Sequence, residues 1–327
     1  MPTKPIVALT HCTEYGESVV ADAIARQFEL LGGIGQFVKR NDHVLLKPNF
    51  IAPKPRHCAT QTDPAVIIET AKLLKDFGAR PFVADSPAWG DVFKCVGVLG
   101  LDEPLKKLGV PIRQLDKPVK RRIAGVDVGI SSVALEADKI INLPKFKTHQ
   151  QLVATFAVKN MFGCVSGKWK AYWHFAKGGN EKKFCKLLIE IYKFMNPVLT
   201  IIDGVIAMDG RGPISGRPRP LGWLIGGTEP IACEMVCSKL INLDCDRLPI
   251  VKTAKQIGFG CSIFDDIEIV GDPFPETVCT DFVPAVPIPI RFSLLHICKS
   301  ICKQIIMLAK PGKENKAQCY QNGGLNE

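Results

Sequence analysis

Lys145, Lys147, His149, Lys159, Lys168, Lys170 and His174 fall in one stretch of the 327-residue chain that contains no aspartate or glutamate. Ammonium and imidazole groups at that density suit a carboxylate or phosphate ligand. Among them lies the small-residue turn Gly163-Cys164-Val165-Ser166-Gly167, of the kind that presents backbone N–H groups to an anion. A solvated basic face with Trp169 and Trp173 in the core is the plainer reading. The interleaving of cations with aromatics and glycines favours a small-molecule anion site. Lys145, Lys147, Lys159, Lys168, Asn160 and Gly163 are therefore the expected ligand contacts. His149 and His174 are the expected proton-transfer groups, imidazole being the side chain whose charge changes nearest neutral pH. Nucleic acid would use the same residue types, but the patch is local and no nucleic-acid motif surrounds it.

A second candidate is "IIDGVIAMDGRGPISGRPRP" over residues 201–220. Asp203 stands at an expected strand end and Asp209 follows in a loop shaped by Gly210, Gly212 and Gly216, where backbone comes close to a ligand or takes a positive φ. Asp209 is an expected catalytic carboxylate, and Asp203 either orients the proton-transfer group or holds a divalent metal. The spacing is neither a P-loop nor a dinucleotide fingerprint. The plainer reading is a tight turn with aspartate as a cap.

Thirteen cysteines are scattered through the chain. Cys233 and Cys237 stand four apart on an expected helix, with Cys245 and Cys261 following. These four are the candidate ligands if the chain holds a 4Fe-4S cluster of its own. The ferredoxin run CxxCxxC is absent, and a zinc site would want tighter pairs. Most cysteines are expected to be buried thiols.

The elements that must position these residues alternate. Strands are expected over 5–10, 43–49, the segment ending at Asp85, 111–114, the "GVDVGISS" segment and "ADKIINLPKFKTH". Helices are expected over 16–31, from Thr62-Asp63-Pro64 to Gly78, and over 92–108. In the second half, helices are expected in "QQLVATFAVKNMFG", 182–195, 229–240 and 249–257, with strands over 198–204, 219–227 and 266–272. This predicts an α/β fold of two lobes, 1–140 and 141–272, around one cleft. Each lobe is expected to carry a Rossmann-like, mostly parallel sheet with helices on both faces. Ligands in such sheets sit at the carboxyl ends of the strands, which adds the tips Lys47, Asn49 and Asp85 to the site. A Pro-rich linker (273–290), a cationic amphipathic helix (291–310) and a disordered tail (311–327) are expected to follow.

The net charge of +10 is concentrated in 142–193 and in 291–327. No run of about 18 apolar residues suggests a spanning helix, and the N-terminus reads as a strand rather than a secretory signal, so a cytoplasmic protein is expected. The 291–310 helix is expected to dock on the protein's own core or on a second subunit in a homodimer. Peripheral contact with an anionic membrane is the alternative.

The motifs "VLLKPN", "NLPKFKTH", "AVKNMFGCVSGKWKAYWH", "IIDGVIAMDGRGPISGRPRPLGWLIGG" and "DIEIVGD" resemble the domain-of-unknown-function 362 family, in the same order over about residues 5–272. Members are often fused to, or encoded beside, ferredoxin-type 4Fe-4S modules, so the resemblance implies redox-linked chemistry. This chain has no such module, and a cluster would need a ferredoxin-type partner or an unusual cysteine set. The family carries no established catalytic residues to transfer. The leading expectation is a redox-linked enzyme acting on a carboxylate- or phosphate-bearing small molecule. The alternatives are a metal-assisted racemase, isomerase or lyase of an organic acid, and a non-catalytic metal or cluster carrier.

Overall fold

The computed structural model describes residues 4–166, 169, 172–173, 180–261, 263–276 and 278–286. Lys168, Lys170, His174, the 291–310 helix and the 311–327 tail lie outside the described residues.

A ten-stranded sheet runs through both halves of the chain. Its strands are β1 (Ile6–His11), β2 (His43–Pro48), β3 (Arg80–Asp85), β4 (Ile112–Gln114), β7 (Lys139–Leu143), β8 (Lys145–His149), β9 (Val153–Thr155), β10 (Leu199–Asp209), β11 (Arg217–Gly227) and β12 (Glu268–Gly271). The order is β12-β1-β11-β10-β7-β2-β3-β4, with β8 pairing β10 and β9. β5 (Pro118–Ile123) and β6 (Val126–Ser131) form a separate antiparallel ribbon. Most pairings are parallel; β10–β11, β11–β1 and β8–β9 are antiparallel. First-half β1 sits between β11 and β12 of the second half, so the two halves share one sheet rather than owning one each.

Period-two alternation divides the core. Val44 and Leu46 pack with Val20, Ile24, Phe28, Ile67 and Leu74 of the helices Glu17–Leu30 and Pro64–Phe77 on one face. Leu45 packs on the other face with residues of the helices Glu181–Met195, Pro230–Leu240 and Pro249–Ile257. Helix Pro64–Phe77 starts as the sequence predicts. The Asp63 side chain accepts from the Ala65 N–H, Pro64 fills the first turn, and Gly78 closes it in the left-handed region.

Four expectations change. The segment 150–163 is not one helix. A turn leads to β9, then a short helix Ala157–Asn160 and a 3-10 turn Met161–Cys164. The run "ADKIINLPKFKTH" is two strands, because Pro144 has no N–H to continue the ladder and β8 leaves β7's line. The helix expected over 92–108 breaks at Gly100, whose φ is 67°. The loop expected between the strands 198–204 and 219–227 is mostly a continuation of them as a long β10–β11 ribbon, with only Gly210–Gly216 as its turn.

Part of the expected linker is a strap. Phe282 packs edge-on to Phe146 at 5.9 Å, and the Gly210 N–H donates to the Val283 carbonyl at 2.7 Å.

Candidate active site

β1, β2, β3, β7 and β10 run in one direction, and their carboxyl ends converge where β8 diverges from β7. Three ion pairs assemble there. Lys47 Nζ lies 2.8 Å from Asp85 Oδ1, both fully buried. Lys145 Nζ lies 2.8 Å from Asp203 Oδ2, also fully buried. Arg56 grips Asp63 with two parallel bonds, Nε to Oδ2 at 2.6 Å and Nη2 to Oδ1 at 2.7 Å. Buried ions require partners of this kind.

Asp203 connects two of these pairs. Its Oδ1 accepts from Tyr15 OH at 2.7 Å, and its Oδ2 accepts from the Asp63 N–H at 2.9 Å as well as from Lys145. The Tyr15 oxygen in turn accepts from Lys145 Nζ at 2.7 Å and from the Ile206 N–H at 3.2 Å. Two cations flank the Tyr15 ring, Arg56 at 5.2 Å and Lys145 at 5.3 Å from its centroid. Burial, then the Asp203 charge, holds the Tyr15 hydroxyl well above its ordinary pKa. Burial pushes the Asp63 carboxyl up against the opposing pull of Arg56.

Tyr15, Arg56, Asp63 and Lys145 line a cavity of about 460 Å³, together with His57 and Gln61. Gln61 donates to the Lys54 carbonyl at 3.0 Å, but its buried Oε1 has no partner. The wall thus combines donors for an anion, a phenol and an imidazole.

Lys147 belongs to none of these three pairs. Its Nζ donates to Asn49 Oδ1 and, at 2.8 Å, to the Thr60 carbonyl, both neutral. Burial, reinforced by Lys159, Lys145 and Lys47, drives its pKa well below the ordinary lysine value. Thr60 precedes cavity residue Gln61, so Lys147 supports the wall from behind.

Asn160 is a brace rather than a cavity contact. It accepts from Asn49 Nδ2 at 2.8 Å and donates to Asn142 Oδ1 at 2.8 Å and the Lys47 carbonyl at 3.0 Å. Its short helix is capped by buried Glu234, whose Oε1 accepts from the Val158 N–H at 3.0 Å. Gly163 packs on the Lys47–Asp85 pair, where an added Cβ would lie 2.6 Å from Lys47 Nζ and 2.7 Å from Asp85 Oδ1. Asp85 also accepts from the N–H groups of Phe50 and Ser86, so its role is to fix the strand tips.

Other predicted residues fall away from the cavity. The His149 ring is buried in the β8–β9 turn, its Nδ1 accepting from the Gln151 N–H at 3.1 Å, and the cavity imidazole is His57 instead. Asp209 is clamped by Arg217 and Arg219 at 3.1 and 3.3 Å and anchors the ribbon. Gly212 lies so close to β8 that a Cβ would sit 2.0 Å from the Thr148 carbonyl oxygen; Gly210 and Gly216 complete that turn. Lys159 is half-buried on the short helix.

The cysteine expectation does not fit the fold. Cys233 and Cys237 are buried in the core, where burial holds both thiols well above their ordinary pKa. Among the described residues, no three His, Cys, Asp or Glu side chains converge as a metal ligand set, and Cys245 and Cys261 do not complete one. Asp203 spends its oxygens on Lys145, Tyr15 and the Asp63 N–H, so Lys145 supplies the charge a metal would bring.

Tyr15, Arg56, His57 and Gln61 stand in no motif of the sequence, and Asp63 reads there only as a helix cap. The signal was present: Tyr15 follows the carboxyl end of β1 and Arg56–Asp63 follows that of β2, which is where α/β sheets put ligands.

Among the described residues, no helix is long and apolar enough to cross a membrane. The chain is 34% identical over 301 residues to a thylakoid-associated protein of Synechocystis sp., covering 91% of this chain and 93% of that protein. A weaker structural likeness, with a TM-score of 0.44 and 15% identity, is to the lactate racemase apoprotein from Thermoanaerobacterium thermosaccharolyticum; it covers 72% of this chain and 57% of that one. The family model described as Domain of unknown function (DUF362) matches residues 44–239, and these motifs and this match make the chain a member of the DUF362 family.

Proposed function

We propose that the protein is a non-redox enzyme that moves a proton on an anionic organic acid, as a racemase, isomerase or lyase does. One observation carries the reading: at the cavity wall, Lys145 Nζ contacts both the Tyr15 hydroxyl and the Asp203 carboxylate. An ammonium, a phenol and a carboxylate in mutual contact beside a ligand-sized cavity form an acid–base unit.

Arg56 uses Nε and Nη2 on Asp63, leaving its Nη1 end for a substrate carboxylate. Lys145 offsets the negative charge that builds on that carboxylate as the neighbouring carbon loses a proton. His57 accepts the proton, and Tyr15 returns one. The high pKa of Tyr15 keeps it protonated, as a donor must be. Asp203 orients Lys145 and Tyr15 together.

The test is deuterium uptake. Wild-type protein is incubated with a panel of carboxylic acids in D₂O, and exchange at the carbon beside the carboxylate is followed by NMR. Tyr15→Phe and Lys145→Met should each reduce exchange at least about 100-fold, the lower bound for general acid–base catalysis, while the far-UV spectrum stays folded. If no acid exchanges and none binds in an Arg56-dependent way, the reading is wrong.

A further inference from the structure

We infer that the cavity takes an amphiphilic acid, a carboxylate joined to an apolar body, rather than a bare small anion. This rests on the proposed function and names the substrate class for the same site. The polar groups occupy only part of the wall. The rest is Pro55, Ala59, Pro64, Leu99, Ile206 and Pro218, drawn from four separate places in the chain. Pro55 and Ala59 belong to the loop after β2, and Pro64 opens the following helix. Leu99 ends the helix Val92–Leu99, and Ile206 and Pro218 come from the β10–β11 ribbon.

Size and chemistry point the same way. At about 460 Å³ the cavity is in the range of sites that enclose a drug-sized molecule. A two-carbon acid on Arg56 and Lys145 would fill a small part of it. The remainder would be water against prolines and aliphatic side chains, which offer few hydrogen bonds. An apolar body displaces that water and gains the transfer free energy of its own surface. Polar recognition at one group and apolar enclosure elsewhere is how such sites separate orientation from affinity.

The experiment is isothermal titration of the full chain with sulfate, acetate, butanoate and hexanoate. Affinity should rise roughly fourfold per methylene that enters the cavity, so hexanoate should exceed acetate by more than tenfold. Leu99→Ala and Ile206→Thr should each reduce the hexanoate-to-acetate ratio; half-buried Ile206 serves if the Leu99 variant fails to fold. Arg56→Gln should weaken every carboxylate. If acetate and sulfate bind as tightly as hexanoate and all depend on Arg56, the amphiphilic class is overturned while the anion site stands. If no carboxylate binds, or Arg56→Gln changes nothing, both readings fall.

Discussion

Lys145 and Tyr15 stand 130 positions apart in sequence, yet Lys145 Nζ lies 2.7 Å from the Tyr15 hydroxyl, and both rest on Asp203. Replacing Lys145 by methionine leaves the Asp203 carboxylate buried without its counter-ion. Breaking one side of a buried pair costs about 3–5 kcal/mol. Urea unfolding of Lys145→Met should show a loss of that size. The double variant with Asp203→Asn should be more stable than Lys145→Met alone, because the stranded charge is then gone.

Glu234 makes stability fall with rising pH. Burial raises its carboxyl from 4.5 to about 8. Between those values the folded protein keeps a proton that the unfolded chain has lost, so stability declines as pH climbs from about 4.5 to about 8. Glu234→Gln keeps an acceptor for the Val158 N–H and removes the titration. Melting temperatures across that window should slope downward in the wild type and be flatter in the variant.

Lys147 acts in the opposite sense. Its folded pKa is pushed down by burial and three neighbouring lysines. Over the interval from its folded pKa to the ordinary lysine value of 10.5, the unfolded chain holds the extra proton, so stability rises with pH. Lys147→Met should remove that rise in alkaline melting curves. If the slope is unchanged in the variant, Lys147 is charged in the folded protein and the account of its environment is wrong.

Gly163→Ala should destabilise by about 1–3 kcal/mol, the usual cost of overpacking, because the added methyl meets the Lys47–Asp85 pair. Gly97→Ala is the matched control. It lies in the exposed interior of the helix Val92–Leu99 with no atom within 4 Å of an added Cβ. That change should stabilise by about 0.5–1 kcal/mol. Chemical denaturation of the two variants side by side separates the contact from the generic glycine effect.

The sequence by itself determined the α/β class, most element positions and the strand tips Lys47, Asn49 and Asp85. Those features depend on local patterns: apolar runs, the Asp63–Pro64 cap, and glycines such as Gly78 that end helices. The lysines at 145 and 147 were also legible, because charge just past a buried strand has few structural uses. Tertiary structure alone decided which of these cations have partners. Asp85, Asp203 and Asp63 neutralise Lys47, Lys145 and Arg56 across separations that no spacing rule reports. It also decided that Asp209 belongs to Arg217 and Arg219, that His149 turns into β8–β9, and that Cys233 and Cys237 face the core. Residue type shows what a side chain is able to do. Whether it faces a cavity, a counter-ion or the core depends on sheet order and on where Pro144 splits β8 from β7, and those are set by contacts distant in the chain.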